Sequence, residues 1–272
     1  MRLDLVLPIV LFAFLSGMVF LYPKLEHRIK RLLKEDTKLR KRDVLLLVLI
    51  MALMITILAL VPSRIVQILY ISLFSYTLFS FTFLTLRKWY IAVLPPLLFI
   101  SSYLLFWNLL TFNIFAFILA SIIILYSVNL FSWKTTLIFA ALLTIVDVIQ
   151  VFITGLMGQL AEKAVFELSL PIVIMLPTYP IMGRIILGLG DIFLAGLLSL
   201  QNMQKNGRTS GILTALLIGI AMLLFEVVNF NTNYFTFFPA TIIVLLGWLA
   251  GTRIARLIAK GKQTSLRKIK RC

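Results

Sequence analysis

Two aspartates, Asp147 and Asp191, lie inside long apolar runs. An ionisable side chain within a membrane-spanning helix costs about 2.5–3.5 kcal/mol on insertion scales, so it is a functional hypothesis by default. The chain has ten acidic residues. Asp4, Glu26, Glu35, Asp36, Asp43, Glu162 and Glu167 fall in loops or at the ends of apolar runs. Only Asp147, Asp191 and Glu226 fall within them. Counting residues from the span ends puts both aspartates roughly 15 Å from a membrane surface, at one depth. Two carboxylates in contact cannot both ionise cheaply, so they share a proton. The ionised member can activate a water, and the protonated member can polarise a peptide carbonyl. That is the division of labour of aspartic proteases. It takes a catalytic water and no cofactor. The same pair would also serve as a polar staple between helices or as the proton site of a transporter. Glu226 lies about one turn from the outer end of its span, beside Asn229, and is expected to snorkel to the interface. His27 is the single histidine, in a basic loop without metal-ligand company, so no metal site is expected. Cys272 is the single cysteine, which excludes an intramolecular disulfide.

The elements that position these acids are apolar and long. The chain has 272 residues, of which 61% are hydrophobic and 13% charged. Soluble domains run near 45–50% apolar and 25% charged, so the excess apolar surface faces lipid. A spanning helix needs about 20 mainly apolar residues. By that measure the fold is all-α with nine transmembrane helices. The expected spans are Leu5–Tyr22, Val44–Val61, Ile65–Leu86, Tyr90–Trp107, Leu109–Phe131, Thr135–Leu156, Ile181–Met203, Gly211–Phe230 and Phe235–Ile258. Pro95-Pro96 predicts a kink in the fourth. A polar stretch, Gly158–Glu167, follows the sixth. The stretch Pro171–Pro180 is apolar but broken by three prolines, and reads as an interfacial segment or an early part of the seventh helix. Arg2 before an apolar run resembles a signal peptide, but no small-residue cleavage site follows, so the first helix is expected to be retained.

The formal net charge is +16. In a soluble protein that excess would point to nucleic acid. Here nine Lys/Arg lie between Lys24 and Arg42 and eight between Arg253 and Arg271, each cluster beside an apolar span. With the N-terminus outside, both clusters and the pairs Arg87-Lys88 and Lys205/Arg208 fall inside, together with Lys134. Arg2, Arg64 and Lys163 remain outside, and Arg184 lies near the outer end of the seventh span. The positive-inside rule therefore predicts a cytoplasmic C-terminus and an odd number of spans. The basic clusters read as topology signals and contacts to anionic membrane lipids, with no nucleic-acid partner. Three regions follow: a membrane bundle over 1–134, a catalytic membrane region over 135–258 and a basic cytoplasmic tail over 259–272.

Asp191 is preceded by Gly188-Leu189-Gly190. Glycine costs about 1 kcal/mol in a helix interior, so two of them before a buried acid imply a close approach of backbone or water. A bare Gly-x-Gly-Asp is a weak signal, since small residues are common at helix contacts. In context, Gly188–Asp191 followed by Ile192-Phe193 resembles the active-site helix of the presenilin and signal peptide peptidase family. Asp147, with Val151-Phe152 four and five residues on, resembles that family's first active-site helix. Pro239-Ala240-Thr241 resembles its Pro-Ala-Leu motif at the start of the ninth helix. The likeness covers roughly the second half of the chain. Val146 stands where the family usually has Tyr, and Thr241 where it has Leu. No extended hydrophilic loop separates the sixth and seventh spans, which is closer to the signal-peptide-peptidase-like or archaeal members.

The resemblance implies an intramembrane aspartyl protease. Asp147 and Asp191 would be the catalytic pair. Gly188, Leu189, Gly190, Pro239, Ala240 and Thr241 would shape the site around the substrate. Its partners would be transmembrane helical proteins or peptides, type II-oriented or signal-peptide remnants, and its place a prokaryotic, archaeal cell membrane. The alternatives are a prepilin or preflagellin peptidase, which also uses Gly-x-Gly-Asp but has fewer spans, and a proton-coupled membrane transporter. A non-catalytic membrane chaperone would tolerate loss of either aspartate.

Overall fold

The computed structural model describes residues 3–32, 38–155, 167–180, 183–232 and 238–269. Ten helices and one hairpin occur among them: α1 (Val6–Leu32), α2 (Lys41–Leu60), α3 (Ser63–Leu86), α4 (Trp89–Ala92), α5 (Leu94–Leu105), α6 (Leu109–Leu130), α7 (Trp133–Val148), β1 (Val173–Pro177), β2 (Arg184–Gly188), α8 (Leu189–Asn206), α9 (Arg208–Thr232) and α10 (Ala240–Ile269). Six helical segments among the described residues are long and apolar enough to cross a membrane: Val6–Ile29, Ser63–Leu86, Leu109–Leu130, Trp133–Ile153, Arg208–Thr232 and Ala240–Ile258. This is the helical architecture of a multi-pass membrane protein. Of the polar stretch Gly158–Glu167, all but Glu167 lies outside the described residues, as do Arg2, Ile181, Phe235 and Cys272.

The connections are short because the sequence caps its helices. Asn108 accepts a hydrogen bond from the Thr111 backbone N–H (2.9 Å) and opens α6. Ser132 accepts from the Thr135 N–H (3.3 Å) and opens α7 one residue after Phe131 closes α6. The expected kink is present: the helix breaks at Val93, between α4 and α5, directly before Leu94-Pro95-Pro96.

The most buried helix, α8, is less apolar than α2, α3 and α6. Every residue of α8 from Ile192 to Met203 is buried. α1, α6, α9 and α10 pack around it. Because protein rather than lipid surrounds it, α8 can carry Ser199, Gln201 and Asn202 in its interior. The outer helices show the opposite pattern. Among the described side chains of α2 only Val44 and Val48 are buried, while Leu45, Leu46, Leu49, Ile50 and Leu53 face outward. A lipid-facing helix is apolar outside, so hydropathy marks the shell more strongly than the core.

Glycines set the closest helix contact. A Cβ on Gly247 would meet the Ile218 Cα at 2.6 Å, and one on Gly251 would meet the Thr214 Cα at 2.9 Å. This Gly-x-x-x-Gly spacing lets α9 and α10 approach backbone to backbone.

The largest departure from expectation lies before Asp191. The seventh span was expected to be helical over Ile181–Met203. Instead residues 184–188 form β2, and α8 begins only at Leu189. The Pro171–Pro180 stretch is not an early part of that helix; it supplies β1, antiparallel to β2 with Val173 opposite Gly188 and Pro177 opposite Arg184. Prolines at 171 and 177 bracket the strand and bar a helix there. Non-helical backbone among membrane helices must have its polar groups satisfied by protein. The sequence supplies the partners. Tyr103 Oη donates to the Leu168 carbonyl (2.8 Å), Trp107 Nε1 to Ser169 (2.9 Å) and Tyr70 Oη to Pro171 (3.0 Å). Asn113 of α6 pairs with Met175 like a neighbouring strand: its Nδ2 donates to the Met175 carbonyl (2.7 Å) and its Oδ1 accepts from the Met175 N–H (2.9 Å).

Candidate active site

Asp147 is the penultimate residue of α7, 14 positions beyond Trp133. Asp191 is the third residue of α8, 15 positions before Asn206. α7 and α8 run in opposite directions, so at 1.5 Å per residue the two lie about 21 and 22 Å from the same end of the pair. The shared level expected from the sequence is therefore present. The reason differs: Asp191 is not in mid-helix but opens its helix, and the hairpin occupies the space beyond it.

The helix carrying Asp147 changes form just after it. Residues Ile149–Ile153 make a π turn, and the Thr154 N–H reaches back to the Ile149 carbonyl (3.0 Å). Such turns are rare and cluster at functional sites. Gln150 inside the turn donates to the Ala52 carbonyl of α2 (3.3 Å). Phe152 packs edge-on against Phe238 (6.0 Å between ring centres), tying the turn to the residue before Pro239.

Asp147 is 8% exposed. Asp191 is partly exposed, and Gly190 beside it is open. The two carboxylates are close enough to interact electrostatically. Thr241 joins them. Its Oγ1 donates to Asp147 Oδ2 (2.7 Å). Its backbone amide lies beside both carboxylates. Thr241 is the second residue of α10, where a backbone N–H has no partner within the helix. The positive end of the α10 dipole thus points at the acid pair, the arrangement by which helices bind anions. Pro239 immediately precedes α10 and Ala240 opens it; Pro239 is buried and its carbonyl accepts from the Ile242 N–H (3.1 Å).

The glycines before Asp191 divide the work. A Cβ on Gly188 would sit 3.1 Å from Asp191 Oδ2, whereas one on Gly190 would meet nothing within 4 Å. Gly188 therefore keeps the carboxylate clear, and Gly190 lines the open side. Leu189 packs against the core, and its N–H donates to the Ile172 carbonyl (3.2 Å), fastening the start of α8 to the root of β1.

The hairpin presents a free edge to this site. Met175 turns its backbone groups to Asn113, so in the antiparallel alternation Ile174 and Leu176 bond to β2. On β2 the opposite set, Arg184, Ile186 and Gly188, then directs its N–H and C=O groups away from β1. Arg184 and Ile186 are exposed. Among the described residues no strand pairs with this edge, which ends three residues before Asp191.

Every residue singled out in the sequence thus lies in one region: Asp147, Asp191, Gly188, Leu189, Gly190, Pro239, Ala240 and Thr241. Glu226 departs from its expected place. It does not snorkel: it is 3% exposed, and neither carboxylate oxygen has a hydrogen-bond partner among the described residues. Asp4 lies near enough to interact with it electrostatically. Asp4 itself is fully buried rather than terminal and solvated. It accepts from the Val6 (3.2 Å), Leu7 (3.4 Å) and Tyr179 (2.9 Å) N–H groups, capping α1 and tying it to the hairpin. Three functional features escaped the sequence reading: the hairpin edge, the π turn and the Thr241 hydroxyl. The first had a signal. Val173-Ile-Met-Leu-Pro177 and Arg184-Ile-Ile-Leu-Gly188 are short apolar runs, rich in β-branched residues and ended by Pro and Gly.

No protein-family model matches the chain, and no curated protein matches it in sequence.

Proposed function

We infer that this chain is an intramembrane aspartyl protease that hydrolyses peptide bonds of transmembrane helices. The observation that carries the reading is the convergence of Asp147, Asp191 and the α10 N-terminus at Thr241. A water held between the carboxylates gives a proton to the ionised aspartate and attacks the scissile carbonyl carbon. The protonated aspartate gives its proton to the carbonyl oxygen. The resulting gem-diol collapses, the C–N bond breaks, and the amine leaves with the proton first taken from water. Thr241 and the helix terminus hold the charge of the pair in place at each stage.

A helical substrate hides its carbonyls in intrahelical hydrogen bonds, so it must open first. The free edge of β2 offers replacement bonds at Arg184, Ile186 and Gly188, and an unwound segment adding to that edge is led to Asp191. Nine membrane passes follow if α4 and α5 cross as one, with the N-terminus outside and the C-terminus cytoplasmic. In that orientation the active-site helices suit type II-like substrates, as in signal peptide peptidase by resemblance.

The test is to incubate purified protein with a synthetic transmembrane peptide and locate the new termini by mass spectrometry. Cleavage inside the apolar segment, lost in Asp191→Ala, is expected. Cleavage confined to a flanking polar segment, or persisting in that variant, contradicts the reading. Glu226, buried without a hydrogen-bond partner among the described residues, favours a second reading as a proton-coupled carrier. Under the protease reading Glu226→Gln leaves cleavage unchanged. Uptake of protons with a solute into vesicles, abolished by Glu226→Gln, would support the carrier.

A further inference from the structure

A cavity of about 400 Å³ lies at the opposite end of α8 from Asp191, between α1, α6, α7 and the segment leading into α2. That size falls within the range of small-ligand sites. Its lining is polar and carries both signs of charge. Lys205 and Lys38 contribute cations and Glu26 a carboxylate. Lys205 is held over the Trp133 ring, its Nζ 4.0 Å from the ring centre. Lys38 is held by its neighbour, since the Leu39 N–H donates to the Leu130 carbonyl at the end of α6 (3.0 Å). Glu26 faces the Tyr22 hydroxyl.

The amides show what else the cavity offers. Gln201 Nε2 is committed to the Val128 (3.0 Å) and Phe131 (2.9 Å) carbonyls. Gln204 Nε2 donates to Tyr22 Oη (2.7 Å), which in turn donates to Asn129 Oδ1 (2.8 Å). Two carbonyl acceptors fix the orientation of the Gln201 amide. Among the described residues, neither glutamine's amide oxygen accepts a hydrogen bond. The lining therefore offers a carboxylate and amide oxygens together with two ammonium groups. Its ligand needs a hydrogen-bonding cation and an anion a short distance apart.

The surroundings identify the source. The cavity is lined by Lys38 and Lys205, at the ends of helices whose outer faces are apolar. Trp133 at its rim is the residue type that sits at headgroup level. We propose that this cavity binds the headgroup of a membrane phospholipid that carries a primary ammonium. Its phosphate lies against Lys205 and Lys38, and its ammonium against Glu26 and the Gln201 and Gln204 amide oxygens. The lipid clamps the last turn of the helix whose first turn bears Asp191. Binding does not depend on the proteolytic reading.

Native mass spectrometry of the full chain, released from detergent with added lipid, tests this. Phosphatidylethanolamine should be retained about tenfold more strongly than phosphatidylglycerol, which lacks the ammonium, or phosphatidylcholine, whose ammonium has no N–H. Lys205→Ala and Glu26→Gln should each remove that preference while thermal unfolding stays near that of the parent. Soluble phosphoethanolamine should compete only weakly. Equal retention of the three lipids overturns the proposal, as does an unchanged preference in both variants. Full competition by soluble phosphoethanolamine would make the site one for a free metabolite and overturn the lipid source. Should one variant unfold, the other gives the same reading.

Discussion

The amide donors near the last turn of α8 and the carboxylate at its first turn stand in opposite states. At its last turns Gln201 bonds to two carbonyls, and Asn202 Nδ2 donates to Thr214 Oγ1 (2.6 Å). Asn206 Nδ2 donates back to Asn202 Oδ1 (2.5 Å). At its first turn the polar groups are left available. Asp191 is partly exposed, Gly190 has open space, and the β2 edge ahead of it lacks a neighbouring strand among the described residues. Both ends lie among membrane helices, where an unsatisfied group is costly. Donors committed to protein acceptors hold a helix in place; an open carboxylate pair is costly unless it serves the proposed reaction. One end anchors so that the other can present Asp191 at a fixed level.

That contrast can be broken at several points. Gly188→Val should have the largest effect. Its side chain enters the space beside Asp191 Oδ2, and peptide cleavage should fall about a hundredfold, as expected for a misplaced reacting group. Circular dichroism should show the helices retained. Next comes Thr241→Val, which removes the hydroxyl donated to Asp147. Losing a hydrogen bond to a charged group is worth about 1.5–3 kcal/mol, so kcat should drop about ten- to a hundredfold. Thr241→Ser should restore most of it; a serine variant as impaired as valine would mean the methyl group, not the hydroxyl, matters. Ile186→Pro deletes an N–H at the free edge without removing a bond to β1. It should raise KM for a helical peptide several-fold with a smaller change in kcat, and an unchanged KM would argue against strand addition. At the closed end, Asn202→Leu should lower thermal stability by about 1 kcal/mol with cleavage per folded molecule unchanged. A drop in specific activity there would show that the two ends are less separate than the structure implies.

Much of the site was legible because its chemistry is expensive. Asp147 and Asp191 stand out in an apolar sequence, and Gly188, Gly190 and Pro239 break local helix rules beside them. The positions that escaped are those where context decides. The run before Asp191 read as helix because its composition suits a span, yet residues 184–188 pair as β2 with β1, and Tyr70, Tyr103, Trp107 and Asn113 stabilise the extended backbone at 168–175 that leads into and forms β1. No local pattern announces such partners. Thr241 looked like a departure from a motif, and only the placement of α10 against α9 through Gly247 and Gly251 reveals its contact. Glu226 and Asp4 were misplaced for a similar reason. Nearness to a span end suggested water, while tertiary packing at the hairpin removed it.

The central claim is that Asp147 and Asp191 act as a single unit. Residues that do so are grossly non-additive. The direct measurement is the cleavage rate of a transmembrane peptide by wild type, Asp147→Asn, Asp191→Asn and the double variant, each confirmed as folded. The account predicts that either single substitution brings the rate to the background level and that the double variant loses nothing further. Substantial cleavage by either single variant, or losses that multiply in the double, would contradict it.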